Sequence, residues 1–417
     1  MVDNDRKGVL PVMRIAIVDL LFSWPPHGGA DVDVYQVAQG LCARGHEVHL
    51  FYVHDPSSWE RGQATADALP FPAKRLVFSP GGLTLAGVTG RIREELERWS
   101  PDYVLLTQGY FLKTPIALAL RNFRVISRCY AHETACHKDI LRFKDGKPCP
   151  NEYYRTPDLC RACAAESQRS AITQRHYNAW TWEYMETQAW TPDYYKQFMD
   201  AMRSLHAVIV TTEQMRAQVA ELCNQIHVVP HGVDPEQFTP RGNAAADAPP
   251  VIFAPGRLED PAKGLDILLA GTQLLADEGR RFEVRVTLPE GRSGPPWLHP
   301  LGKIPHDAMP RAYQEADISV TPSLWDEPFG IVALEAMATA LPVCASETGG
   351  LRDIVVHGET GMLFERGNAK ALAAALRPLL DDPALRRQMG AAGRTRVLQE
   401  YQWDVVLERY YGPMFAA

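Results

Sequence analysis

Short apolar runs alternate in this chain with glycine-bearing loops and stretches of helical spacing, and the alternation occurs in two series. The first series has apolar runs at 14–20, 47–53, 103–107, 125–129, 207–212 and 227–233, with helical spacing over 32–44 closed by Gly45. The second has runs at 251–254, 282–287, 318–321 and 343–345. Helical spacing follows at 265–278, 307–315, from about 331, and over 369–380 and 383–401. Uninterrupted apolar strands between helices are the pattern of parallel sheets covered on both faces. Between the series lies TPRGNAAADAPP, 239–250, rich in Pro, Ala and Gly and read as a linker. The expectation is an α/β chain of two doubly wound, Rossmann-like domains facing a central cleft. The first domain is placed at 13–240 and the second at 250–400. A last segment, 401–417, is amphipathic enough to cross back onto the first.

The chain has 417 residues, enough for two cores. A net charge of −7 argues against a protein held to nucleic acid by phosphate contacts. No apolar run reaches the roughly 18–20 residues of a membrane span. Asp19 interrupts the first apolar stretch and no small-residue cleavage site follows, so residues 1–12 read as a loose tail and not a secretory leader. A cytoplasmic protein with reduced thiols is expected. Nothing in the sequence fixes the oligomeric state, and peripheral membrane contact stays open.

Ligands of doubly wound sheets bind beyond the carboxyl ends of the strands, so motifs there carry the most weight. PGRLEDPAKGLD, 255–266, follows the 251–254 run directly. Arg257 offers a planar fork and Lys263 a mobile charge, a pair suited to a diphosphate; the alternative is two solvated surface cations. The second motif is EPFGIVALE, 327–335. Pro328 and Gly330 forbid a helix through its middle, so the helix begins near Ile331. Glu327 then lies on a loop and Glu335 about one turn inside an apolar helix, where a carboxylate needs a partner. The free N–H groups at Phe329–Val332 make an anion seat, and a carboxylate can accept from a vicinal diol. The alternative is a capping acid and a solvated Glu335.

With Arg257, Lys263 and the Glu327–Glu335 spacing in place, the chain resembles the retaining glycosyltransferases of family four, which have the GT-B fold. VVPHGVDPEQF (228–238) resembles that family's interdomain segment, with His231 where Asn is more usual. GGLRDIV (349–355) and HGETGMLF (357–364) resemble its later glycine motifs. Ala340 departs from a common Gly. The resemblance spans nearly all of 13–405. It implies that Arg257 and Lys263 hold the diphosphate of a nucleotide-sugar, with UDP favoured over GDP. It implies that Glu335 binds the ribose, and that Glu327, Phe329, Gly330 and Ile331 bind the donor sugar and its phosphates. Gly28 and Gly29 match the family's N-terminal glycine loop, and His132 matches a histidine facing the reacting region. The implied catalytic set is His132, Arg257, Lys263 and Glu327. The implied reaction is transfer of a hexose-type sugar to a hydroxyl of a small molecule or glycan, with retention and no divalent metal. Alternatives are a same-fold epimerase or phosphorylase, or a catalytically silent scaffold.

One cluster lies outside the family pattern. Cys136, Cys149, Cys160 and Cys163 have the spacing C-x12-C-x10-C-x2-C. Four thiolates with a closing C-x-x-C suit a structural zinc site; an iron–sulfur cluster or a redox disulfide is the alternative. This Cys-rich insertion, about 132–165, is expected to staple the acceptor side. The aromatic run 177–198 reads as helix packing, with stacking on a sugar acceptor as the alternative.

Overall fold

The structure is a computed structural model and describes residues 12–415 apart from 59, 80, 176 and 242–247. Most of the expected N-terminal tail and the middle of the expected linker lie outside the described residues. Strands β1 (Arg14–Asp19), β2 (Glu47–His54), β3 (Ala73–Val77), β4 (Tyr103–Leu106) and β5 (Val125–Arg128) open the chain. A two-stranded ribbon follows, β6 (Phe143–Lys144) and β7 (Lys147–Pro148), then β8 (Ala207–Val210) and β9 (Ile226–Val228). The second half contains β10 (Val251–Ala254), β11 (Glu283–Val286), β12 (Leu298–Pro300), β13 (Ile318–Thr321), β14 (Val343–Ser346) and β15 (Gly361–Phe364).

These strands form two large sheets. The first runs β3-β2-β1-β4-β5-β8-β9 and the second β12-β11-β10-β13-β14-β15. Every pairing within them is parallel. Alternate residues of each strand feed opposite cores. Ile15 and Ile17 lie in one cluster while Ala16 and Val18 lie in the other. Ile252 and Ala254 are likewise split from Val251 and Phe253. That two-sided burial is why the strands read as unbroken apolar runs. The expected α/β architecture of two doubly wound sheets is what forms.

Strand order reverses between β1 and β4 and between β10 and β13. Loops leaving such neighbours part to opposite faces and open a crevice. The Gly28–Gly29 loop follows β1. The Arg257–Lys263 loop and the Glu327 loop follow β10 and β13, so both donor motifs converge on one switch point.

Some elements differ from expectation. The run at 227–233 is strand only to Val228, because Pro230 has no N–H to continue a ladder. The chain then crosses between the halves, where Val233 N–H donates to Tyr401 O at 2.9 Å. Strands β3, β12 and β15 were not expected; β3 and β12 are edges, where burial is partial and the apolar signal weak. The aromatic run folds into helices Ala179–Glu186 and Pro192–Ser204, and Trp180, Tyr184, Tyr194 and Phe198 are buried in the first-sheet core. After Tyr401 the chain returns to that sheet's other face, burying Trp403, Leu407, Tyr411 and Phe415 beside Ile15, Ile17 and Tyr52.

Candidate functional site

The second sheet supplies two interlocked loops. Asp260 caps the turn Pro261–Lys263 through Ala262 N–H (2.9 Å), and Ala262 O accepts from Leu324 N–H of the neighbouring loop (2.8 Å). Gly264 (φ +76°) is required here, since a Cβ would stand 2.0 Å from Pro322 O. The contact delivers Lys263 onto Glu327, Nζ to Oε1 at 2.7 Å, and Ser323 Oγ donates to the same oxygen at 2.5 Å. Lys263 also stands 4.6 Å from the Trp325 ring centroid. Burial pushes the Glu327 carboxyl up, but the Lys263 cation and the Ser323 hydroxyl outweigh it and hold the group below its usual value. Glu327 is therefore an ionised carboxylate. Arg257 is exposed at the same switch point and pairs with no side chain among the described residues, so its guanidinium is open to an anion.

The loop turns at Gly330 into the helix Ile331–Ala338. The N–H groups of Phe329, Gly330, Ile331 and Val332 make no hydrogen bond to protein, and they converge at the positive end of the helix. Glu335 is buried one turn further on. Tyr313 Oη donates to its Oε2 at 2.8 Å, and His306 Nε2 lies 3.8 Å from Oε1. Burial raises the Glu335 carboxyl to about 7, with the Tyr313 hydrogen bond opposing. Burial lowers His306, so the two do not form a strong ion pair near neutrality.

The first sheet supplies the opposite wall. Gly28 caps the helix Gly29–Ala43, and a Cβ on Gly29 would meet Ile331 Cδ1 at 2.1 Å, so the two halves touch at the glycine loop. Asp31 shapes this loop by accepting from the N–H groups of Ser23, His27 and Gly28, while Gln108 Nε2 holds it at 2.8 Å. His132 does not project into open space. Its Nε2 lies 2.8 Å from Asp326 O across the cleft, and its Nδ1 2.9 Å from the Gln218 amide. Below it lies a buried polar knot. Asp33 pairs with Arg128 (3.1 Å) and His231 (3.1 Å) and accepts from Tyr130 Oη (2.9 Å). Burial opposes ionisation of Asp33, yet the Arg128 and His231 partners hold it at about 2. His231 in turn packs 5.3 Å from the Phe329 ring.

The donor-side motif residues thus come together with the glycine loop and His132. Sequence reasoning missed Asp31, Asp33, Ser323, Trp325, Tyr313 and Gln218. Only Asp31 left a signal, an acid three residues after a cap glycine.

The metal expectation is corrected. Among the described residues no group of three or more His, Cys, Asp or Glu side chains is placed to hold a metal ion. Cys136 Sγ faces Asp139, Cys149 Sγ accepts from Asn151, and Cys160 Sγ lies 3.6 Å from Thr156 Oγ1. Cys163 is a free, half-buried thiol. Burial pushes the Cys136 thiol up to about 12 and raises Cys160 as well.

The fold has solved counterparts. Sucrose-phosphate synthase from Thermosynechococcus elongatus superposes with a TM-score of 0.69 at 21% identity, covering 97% of this chain and 98% of that one. Anabaena HepE, solved in complex with UDP-glucose, gives 0.65 at 16% identity, covering 97% and 100%. Both share the GT-B arrangement of two Rossmann-like halves. A D-inositol 3-phosphate glycosyltransferase of Kineococcus radiotolerans is 36% identical over 242 residues. A glycogen synthase of Mycobacterium tuberculosis is 29% identical over 230 residues. These two matches take in about half of each chain, 48% and 49% of this one and 55% and 53% of the relative. A Corynebacterium aurimucosum protein, also named D-inositol 3-phosphate glycosyltransferase, is 27% identical with 90% and 88% covered. The family model "Glycosyl transferases group 1" matches residues 295–396. The model "Glycosyltransferase Family 4" matches 27–237, half of the chain, and the chain belongs to that family.

Proposed function

We propose that this chain transfers a hexose-type sugar from a nucleotide diphosphate sugar, UDP-sugar first and GDP-sugar second, to a hydroxyl acceptor with retention of the anomeric configuration. The carrying observation is the Lys263–Glu327 pair at 2.7 Å, set beside the unpartnered Arg257 and the unpartnered amides of 329–332. Lys263 and Arg257 take the diphosphate. Glu327 accepts from donor-sugar hydroxyls, and Glu335 accepts from the ribose diol. Gly28 and Gly29 let backbone approach the phosphates from the other half.

The chemistry then follows from charge. The bond from the anomeric carbon to the phosphate oxygen breaks, and its electron pair stays on the leaving diphosphate. The sugar gains oxocarbenium character while negative charge grows where Arg257, Lys263 and the helix amides already point. These fixed positive groups take the place of a divalent cation. The acceptor oxygen attacks from the same face, and its proton passes to the leaving phosphate oxygen. The acceptor, a small hydroxylated molecule or a glycan end, sits against the loops that follow the first-sheet strands. The UDP-glucose held by HepE supports UDP as the first donor to test.

A thermal-shift panel of UDP, GDP and ADP and their glucose conjugates tests the donor, because a ligand that binds only the folded state raises its apparent stability. UDP compounds are expected to give the largest rise. Slow hydrolysis of UDP-glucose is expected to fall about 100-fold or more in Glu327→Ala. No stabilisation by any nucleoside diphosphate sinks the reading.

A further inference from the structure

The peptide that carries Glu327 is held from the other half of the molecule. Asp326 O accepts from His132 Nε2, and Pro328 O accepts from Thr211 Oγ1 at 2.5 Å. The donor-sugar carboxylate is thus gripped on both sides by groups of the first sheet. The Thr211 grip needs no special chemistry, since a hydroxyl always has a proton to give. The His132 grip does.

A backbone carbonyl only accepts, so the contact with Asp326 requires the hydrogen on Nε2. Neutral imidazole has one N–H, which leaves Nδ1 a bare lone pair. His132 is 2% exposed and Gln218 is 5% exposed, so a protein group and not bulk water must satisfy that lone pair. A side-chain amide does so in either protonation state. Its oxygen, the atom that lies against Nδ1 here, accepts from the Nδ1–H of the imidazolium; turned over, its NH2 donates to the bare Nδ1 of the neutral ring. Both states keep Nε2–H on Asp326.

We propose that Gln218 is a positioning residue which satisfies Nδ1 of His132 in either protonation state, so that the ring keeps its Nε2–H on the Asp326 carbonyl and presents Glu327 to the donor sugar. Its kinetic consequence rests on the glycosyltransfer reading above. Its tautomeric consequence does not. Gln218 lies on the helix Glu213–Val219, whose N-cap, Thr212, follows Thr211 directly. One strand-to-helix corner therefore controls both grips.

The test uses the full chain labelled with ring-15N histidine, with His132→Asn identifying the signal. The neutral ring of His132 is expected to carry its proton on Nε2. A neutral ring protonated on Nδ1 overturns the proposal. Gln218→Glu replaces an amide by an acceptor-only group, so Nδ1 must be protonated as well, and the ring's titration is expected to move to higher pH. Several charges face this ring. They are the Asp326 carboxylate with Arg366 bound to it, Lys263 and Glu327 around Trp325, and Glu133 of its own loop with Lys113 of the helix Lys113–Ala119 beside it. None of them changes in the variant, so the shift reports Gln218. Gln218→Leu gives the lone pair no partner, and kcat is expected to fall about tenfold with little change in donor KM. An unmoved titration in Gln218→Glu, or an unchanged kcat in Gln218→Leu, also overturns it. An Nε2–H ring in a protein that neither hydrolyses nor transfers from any nucleotide-sugar leaves the proposal standing and removes the glycosyltransfer reading instead.

Discussion

Glu335 is a carboxylate that its surroundings make hard to ionise. Its value near 7 stands above the usual value of 4.5 because burial penalises the charge. The sign follows directly. The folded state holds a proton that the unfolded state has lost between these values, so the contribution of Glu335 to stability is greatest below about 4.5 and declines as pH rises through 7, by about 3 kcal/mol in all. Urea melts at pH 5 and pH 8 are expected to show Glu335→Gln gaining on the parent protein at the higher pH. A bound ribose would donate to the carboxylate and favour its charged form. Nucleotide binding is therefore expected to release a proton near pH 6.5, seen by calorimetry in buffers of different ionisation enthalpy, and to lose that release in Glu335→Gln. Glu327 is the opposite case, an ionised group kept so by Lys263. Lys263→Met alone leaves a buried charge unpaired and is expected to cost about 3 kcal/mol in denaturant melts, and adding Glu327→Gln restores most of it. The two glutamates were legible as an acid before a forced turn and an acid inside an apolar helix. Their partners were not, because Tyr313 and Lys263 reach them from neighbouring elements far away in sequence.

At the level of elements, the helix Ile331–Ala338 shows how a local rule is met and then bent. Its start is fixed by Pro328 and Gly330. Its end is a Schellman turn, with Leu341 N–H donating to Ala336 O and Ala340 N–H to Met337 O, both at 3.0 Å. The residue at the left-handed position is Ala340, at φ +58°. Alanine pays a steric penalty there that glycine does not. Ala340→Gly is expected to stabilise the protein by about 1 kcal/mol, less glycine's entropic cost, and to raise Tm by a few degrees without changing kcat. A lower Tm contradicts this. The second-series elements were read closely, with β10 and β13 and the start of this helix at the predicted residues, because strands buried on both faces have unbroken apolar runs. The edge strands β3 and β12 escaped because half their residues meet water. The run at 227–233 was overread because an apolar run does not say whether its hydrogen bonds continue into a sheet. The cysteines escaped for a related reason. Their spacing along the chain is that of a zinc knuckle, but coordination depends on where a ribbon and a helix aim four thiols.

In the whole molecule, the last segment fastens the halves together. Trp403 is buried against Gly232, where a Cβ would stand 2.4 Å from the indole, and Leu407, Tyr411 and Phe415 fill the first-sheet core. Trp403→Ala is expected to cost about 3–5 kcal/mol and to separate the melting of the two halves in calorimetry, since it loosens a residue of the first core that lies on the crossing. A single unchanged transition contradicts this. No helix among the described residues is long and apolar enough to cross a membrane. The sequence by itself determined two parallel-sheet halves and the loops that carry Arg257, Lys263, Glu327 and Glu335, because strand burial, forced turns and helix starts are local or periodic properties written along the chain. Only the tertiary structure decided that Lys263 meets Glu327, that Tyr313 caps Glu335, and that His132 and Thr211 grip the carbonyls on either side of Glu327. Those contacts form between residues tens to hundreds of positions apart, where packing of one sheet's loops against another's sets the distances and periodicity carries no information.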